Sequence, residues 1–187
     1  MIEKTQARLH AVYQAVAELI LEGGTAAVTL SAVCRRAEIS KGGLMHHFPS
    51  KESMVEQFVT HSGEACLREI SVALEGIRPG GGQRTKAFID EILIDPSMCH
   101  PENSRELAAV MIAMMQGSYI GDANQFYDKI YGELRGDGVS KAVIDLVVAA
   151  IDGLWLQSMV LAPEEVSNRA GRLRRQLRRM VSDDANS

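Results

Sequence analysis

TLSAVCRRAEISKGGLMHHFPSKESMV, residues 29 to 55, contains three helix starts in a short span. Thr29 reads as the N-cap of a short helix carrying Leu30, Val33 and Ala37 at i, i+3 and i+7. A break over Glu38 to Ser40 separates it from a third helix, SKGGLMHHF, which Pro49 cuts off. Ser50 then caps a long fourth helix reaching toward Leu74. Two short helices joined by a three-residue turn make a helix-turn-helix. Leu44 and Phe48 are four apart, so they share one face and pack against Leu30, Val33 and Ile39. The opposite face, with Lys41, Met45 and His46, is left to meet a partner.

The adjacent glycines fit that arrangement. A helix entered through Ser40, Lys41, Gly42 and Gly43 offers free backbone N–H groups and a bare surface at its tip. Phosphates approach such an end closely, and recognition helices touch base edges with their N-terminal residues. Lys51 adds a phosphate contact of the positioning kind. A nucleotide cradle is disfavoured, because no strand precedes the glycines and neither GxxxxGK[ST] nor GxGxxG occurs.

The rest of the chain is helical in pattern, with 46% apolar residues and 5% aromatic. A first helix is expected from about Thr5 to Glu22, ended by Gly23 and Gly24. The RPGGGQ loop at 78 to 83 is the clearest internal break. Further helices are expected at about 84 to 95, 104 to 118, 122 to 135, 140 to 161 and 164 to 181. The longest apolar run, LAAVMIAMM from Leu107, is far short of the roughly 20 residues of a membrane span. No charged-then-apolar leader is visible, and three scattered cysteines without a CxxC pair suit reduced thiols. The expectation is a cytoplasmic protein without membrane attachment.

Charge is unevenly placed. Residues 1 to 51 hold six basic groups against four acidic ones, a balance of +2, while the remainder carries −6. With a Debye length of about 8 Å at physiological salt, a basic head on an acidic body can bind DNA through the head alone.

The Thr29 to Val55 stretch resembles the DNA-binding helix-turn-helix of the tetracycline-repressor (TetR/AcrR) family of bacterial transcription regulators. The resemblance rests on the capped helix, then RRAEIS, then HHFPSK running into a long helix. It implies an all-α fold. Residues 1–50 would form a three-helix helix-turn-helix domain, joined by the long fourth helix to a larger ligand-binding and dimerisation domain, 51–187. It further implies a homodimer on a palindromic double-stranded DNA operator, released when a small-molecule effector binds. Carried over by position, the DNA-contacting residues are Thr29, Ser31, Ser40, Lys41, Gly42, Gly43, Met45, His46 and Lys51. Three positions depart from the family pattern. Met45 stands where a phosphate-binding tyrosine is usual, Gly43 where a small hydroxyl residue is common, and Glu38 where a turn glycine is frequent. A left-handed Glu38 costs about 1 kcal/mol or more.

In the body, KAVIDLVVAAIDGLWLQSMVL from Lys141 is apolar over most of its circumference and needs cover on several sides. Asp145, Asp152 and Gly153 mark a narrow face suited to close helix approach. With the arginine-rich helix near the C-terminus, this segment is read as half of a four-helix dimer interface. The arginines of RAGRLRRQLRR are read as the solvated rim of a helix whose apolar stripe is Leu173, Leu177, Met180 and Val181. Phe88, Met111, Met114, Met115, Tyr119, Phe126, Tyr127 and Trp155 are the candidate lining of a largely apolar effector pocket.

The rival reading is a small helical metal-binding carrier or enzyme using His61, Glu64, Cys99 and His100. His61 and Glu64 make a single i, i+3 pair, which is more often a solvated polar face. His46 and His47 point about 100° apart and do not chelate one ion. No GxSxG or HExxH spacing occurs, so neither catalysis, nor a metal, nor a cofactor is expected.

Overall fold

The computed structural model describes residues 2–94, 101–117 and 120–187. Among these, the regular elements are nine helices with no strand: α1 (Ile2–Ala27), α2 (Leu30–Arg36), α3 (Lys41–His47), α4 (Lys51–Ala73), α5 (Gln83–Ile94), α6 (Pro101–Gln116), α7 (Ile120–Leu134), α8 (Lys141–Ser158) and α9 (Pro163–Ala185). The all-α expectation holds. The helix starts at Pro101 and Pro163 fall before the sequence estimates, because proline is tolerated in a first turn whose N–H groups have no intrahelical partner. The chain divides into two compact units, Met1–Glu64 with Arg105–Ala123, and Ala65–Ser104 with Asn124–Ser187. No described helix is long and apolar enough to cross a membrane.

The first unit is built on α1, α2, α3 and the start of α4, with α6. Its core joins Val12, Val16, Ile20, Val33, Leu44, Phe48, Met54 and Phe58 to Ala109, Val110 and Ala113 of α6. Leu44 and Phe48 are fully buried, so the face assigned to them from their spacing is the inward one. Tyr13 meets the edge of Phe48 at 6.1 Å and stacks on His61 at 4.6 Å. Gly23 and Gly24 break α1, Gly24 with φ +66°. There the Thr25 N–H donates 2.7 Å to Oε1 of Gln116, and a Cβ on Gly24 would lie 2.7 Å from that same amide.

The second unit packs α5, α7, α8 and α9 with the end of α4 around Phe88, Ile89, Leu134, Val147, Ile151, Leu177 and Val181. Its organising polar group is Asp137, 1% exposed in the loop between α7 and α8. The carboxylate accepts from Gly80 N–H at 2.9 Å, Arg84 N–H at 3.2 Å, and Thr85 N–H and Oγ1 at 2.8 Å each. It thereby caps α5, satisfying N–H groups that no intrahelical carbonyl reaches. Arg84 braces the same corner, donating to the Ile77 carbonyl at 3.2 Å, to the Glu133 carbonyl at 2.8 Å and to the Glu133 carboxylate.

Candidate nucleic-acid interface and effector region

The helix-turn-helix is assembled by caps. Thr29 is extended, and its Oγ1 accepts from Ala32 N–H at 3.1 Å to start α2. Ser40 does the same for α3 through Gly43 N–H at 3.2 Å, and Ser50 for α4 through Ser53 N–H at 3.1 Å. Phe48, extended at φ −130° as a residue before proline must be, ends α3. Between α2 and α3, Glu38 adopts φ +53°, and Ile39 N–H returns to the Cys34 carbonyl at 3.1 Å. That is the outer, six-to-one bond of a Schellman close, with a glutamate in the seat that glycine usually takes. Arg36 ties α2 back to α1, donating to both Glu22 carboxylate oxygens at 2.8 and 3.1 Å. This hydrogen-bonded pairing holds the Glu22 carboxyl below its ordinary range and raises the guanidinium.

The nine residues selected for DNA contact all lie in α2, α3, their caps or the first position of α4. Thr29 and Ser40 have their hydroxyl oxygens engaged as caps while remaining exposed. Ser31, Lys41, Gly42, Gly43 and His46 are exposed, and Lys51 is half-buried. Space beyond Gly42 is open, whereas a Cβ on Gly43 would press within 3.2 Å of the Ser40 hydroxyl. Met45 is 46% exposed on the side of α3 away from Leu44 and Phe48, an unusual position for a large apolar group. His47 leans edge-on against His46 and tilts onto Phe48 rather than burying itself.

The candidate effector lining is divided between the units. Met111 and Met114, both half-buried, and Met115, 83% exposed, belong to the first unit. Phe88, Phe126, Tyr127 and Trp155 belong to the second, where Phe88 is fully buried and the other three pack around the core. Tyr119, Cys99 and His100 lie outside the described residues. A groove of about 510 Å³ opens elsewhere, beside Val143, Gln176, Arg179, Met180, Asp183, Asp184 and Ser187. Among the described residues no group of three or more metal-ligating side chains converges.

Asp145 is paired with Lys141 at 2.8 Å and Asp152 accepts from the Tyr127 hydroxyl at 2.9 Å, so both are engaged with neighbouring side chains inside the unit. The exposed large apolar residues of α8 are Leu146 and Leu156, with Val160 just beyond its end. Of the C-terminal arginines read as a solvated rim, some are drawn into ion pairs. Arg174 and Arg178 hold Asp90 of α5, Arg169 holds Glu165, and Leu177 and Val181 are buried. Sequence reasoning missed the contacts made by Arg36, Gln116, Asp137 and Asp152, each of which depends on a partner distant in sequence or on a neighbouring helix.

Comparison with known proteins agrees with this architecture. Residues 12–58 match the family model described as bacterial regulatory proteins, tetR family. Residues 82–182 match the tetracyclin repressor-like C-terminal domain. The HTH-type transcriptional regulator UidR of Escherichia coli K12 is 32% identical over 66 residues, 35% of this chain and 34% of UidR's own length. Among solved structures, a candidate transcriptional regulator of Pseudomonas aeruginosa superposes with TM-score 0.71 at 20% identity, over 96% of this chain and 94% of that one. The TetR family transcriptional regulator PfmR of Thermus thermophilus gives 0.63 at 16% identity, over 90% and 97%. At such identities these two structures speak for the fold alone. With both family models matched, the second across most of the C-terminal half, the chain belongs to the tetracycline-repressor family of bacterial regulatory proteins.

Proposed function

We propose that this protein is a ligand-responsive transcriptional repressor, acting as a homodimer on a palindromic operator. Residues 1–50 read the DNA, and residues 51–187 hold the effector and the dimer face. The observation that carries this reading is α3 itself. A seven-residue helix is pinned by Leu44 and Phe48 while Lys41, Gly42, Gly43, Met45 and His46 stand exposed on it. Lys41 and Lys51 meet phosphates and fix register; Met45 and His46 face base edges. The Leu146, Leu156 and Val160 stripe supplies apolar surface for a twofold partner. A largely apolar effector shifts the population away from the spacing that fits DNA, about 34–36 Å between recognition helices. The protein acts by binding, without catalysis, in the cytoplasm.

Selection of bound sequences from random DNA tests the reading. The expected outcome is a palindrome with half-sites about one helical turn apart. Stoichiometric zinc or iron in the purified protein, together with no binding to DNA from its own promoter region, would overturn it.

A further inference from the structure

In the second unit, α7 and α8 carry two tyrosine–aspartate rungs. Tyr127 and Tyr131 stand four apart on α7, Asp145 and Asp152 seven apart on α8, so each pair lines one face of its helix. At the outer rung the Lys141 ammonium joins Asp145 to the face of the Tyr131 ring. That ammonium lies 2.8 and 3.0 Å from the two Asp145 oxygens and 5.5 Å from the centre of the Tyr131 ring. At the inner rung Tyr127 donates to Asp152 at 2.9 Å, and among the described residues no lysine or arginine pairs with that carboxylate.

The inner rung is also the drier one. Burial raises the Asp152 carboxyl above its ordinary value despite the Tyr127 bond, whereas Lys141 holds Asp145 below it. A carboxylate drawn out of water with one neutral donor lacks the cation that compensates burial. One turn along α8, three residues on, the Trp155 indole N–H is buried with no acceptor among the described residues. The rest of that residue remains partly open to solvent. Two unmet groups of opposite demand therefore stand within one helical turn, an anion short of a cation and a donor short of an acceptor.

We propose that Tyr127, Asp152 and Trp155 anchor the effector, and that the effector is an apolar molecule carrying an amine with a hydrogen-bond acceptor a few bonds away. The ammonium occupies at Asp152 and the Tyr127 ring the place that Lys141 occupies at Asp145 and Tyr131. The acceptor takes the Trp155 N–H. This rests on the effector-responsive reading above and gives that effector a chemical class.

Trp155 is the single tryptophan of the chain, so its fluorescence reads the site directly. The full chain is titrated with octylamine, 1-aminooctan-2-ol, octan-1-ol and octanoate. The amine is expected to bind about tenfold or more tighter than the alcohol or the acid, and the amino alcohol tighter again. In Asp152→Asn, with folding checked by circular dichroism, amine and alcohol are expected within about twofold of each other. The wild-type ranking needs no variant, so it decides the matter even where Asp152→Asn does not fold. Octanol or octanoate binding as tightly as the amine overturns the proposal, as does a folded Asp152→Asn that keeps the amine preference. Binding of the same protein to its promoter DNA separates the two readings. Intact DNA binding without amine preference removes only the anchor, and amine preference without DNA binding removes only the regulator.

Discussion

Replacing Glu38 by glycine should stabilise the first unit. Glu38 sits at φ +53°, the one non-glycine residue with positive φ among the described residues. For a residue with a Cβ this conformation costs about 1–2 kcal/mol. Glycine removes that strain but loses about 0.5–1 kcal/mol to the greater freedom of its unfolded chain. The difference leaves Glu38→Gly more stable by roughly 0.5–1 kcal/mol, a rise in Tm of about 1–4 °C for a chain of this size. Glu38→Ala is the control: it removes the same exposed carboxylate yet keeps the Cβ, so its stability should stay within about 0.5 kcal/mol of wild type. Glu38→Asn should fall between, because asparagine tolerates the left-handed region. Urea unfolding followed by circular dichroism, with amide exchange at Ile39 as the local probe, measures all three. Since glycine and alanine delete the charge equally, their difference isolates the backbone. A glycine variant no more stable than the alanine variant would refute the strain argument.

Three other perturbations probe separate joints. Gly24→Ala places a Cβ 2.7 Å from the Gln116 amide at φ +66°, so it should cost about 2–3 kcal/mol from strain and the lost Thr25 bond; part of that cost should vanish in a Gln116→Ala background, as a double-mutant cycle in urea will read. Asp137→Asn halves the acceptor set that caps α5 and turns an amide donor toward backbone or Thr85 donors, so it should destabilise the second unit by about 2–4 kcal/mol, seen as an early loss of the Trp155 fluorescence transition. Lys41→Ala should weaken operator binding and reduce the salt slope of log K by about one; unchanged affinity and slope would mean that Lys41 touches no phosphate.

The parts of this protein that were legible in its sequence are those whose determinants are local. Thr29, Ser40 and Ser50 each cap a helix through an N–H three residues on, a distance that a sequence displays directly. The inward face of α3 followed from Leu44 and Phe48 being one turn apart, and Glu38 betrayed its strained turn by standing where a glycine belongs. Asp137 was invisible by the same logic. In RGDG it reads as an ordinary turn residue, and its importance comes from meeting Gly80, Arg84 and Thr85 more than fifty residues upstream.

The candidate effector lining shows the limit most clearly. Residue type marks Met111, Met114, Phe88 and Trp155 as candidate lining, but it says nothing of which core each one enters. The methionines fall in the unit built around α1 to α3, whereas Phe88 and Trp155 fall in the other. Apolar side chains are interchangeable in such a reading, because burial is nondirectional and any core rewards it. Polar groups are not interchangeable, since each buried donor or acceptor demands a specific complement. On the proposed anchor, Asp152 and the Trp155 N–H, one with a single neutral donor and the other with no acceptor among the described residues, would therefore constrain an effector's chemistry more tightly than the eight candidate residues picked out by their apolar and aromatic character.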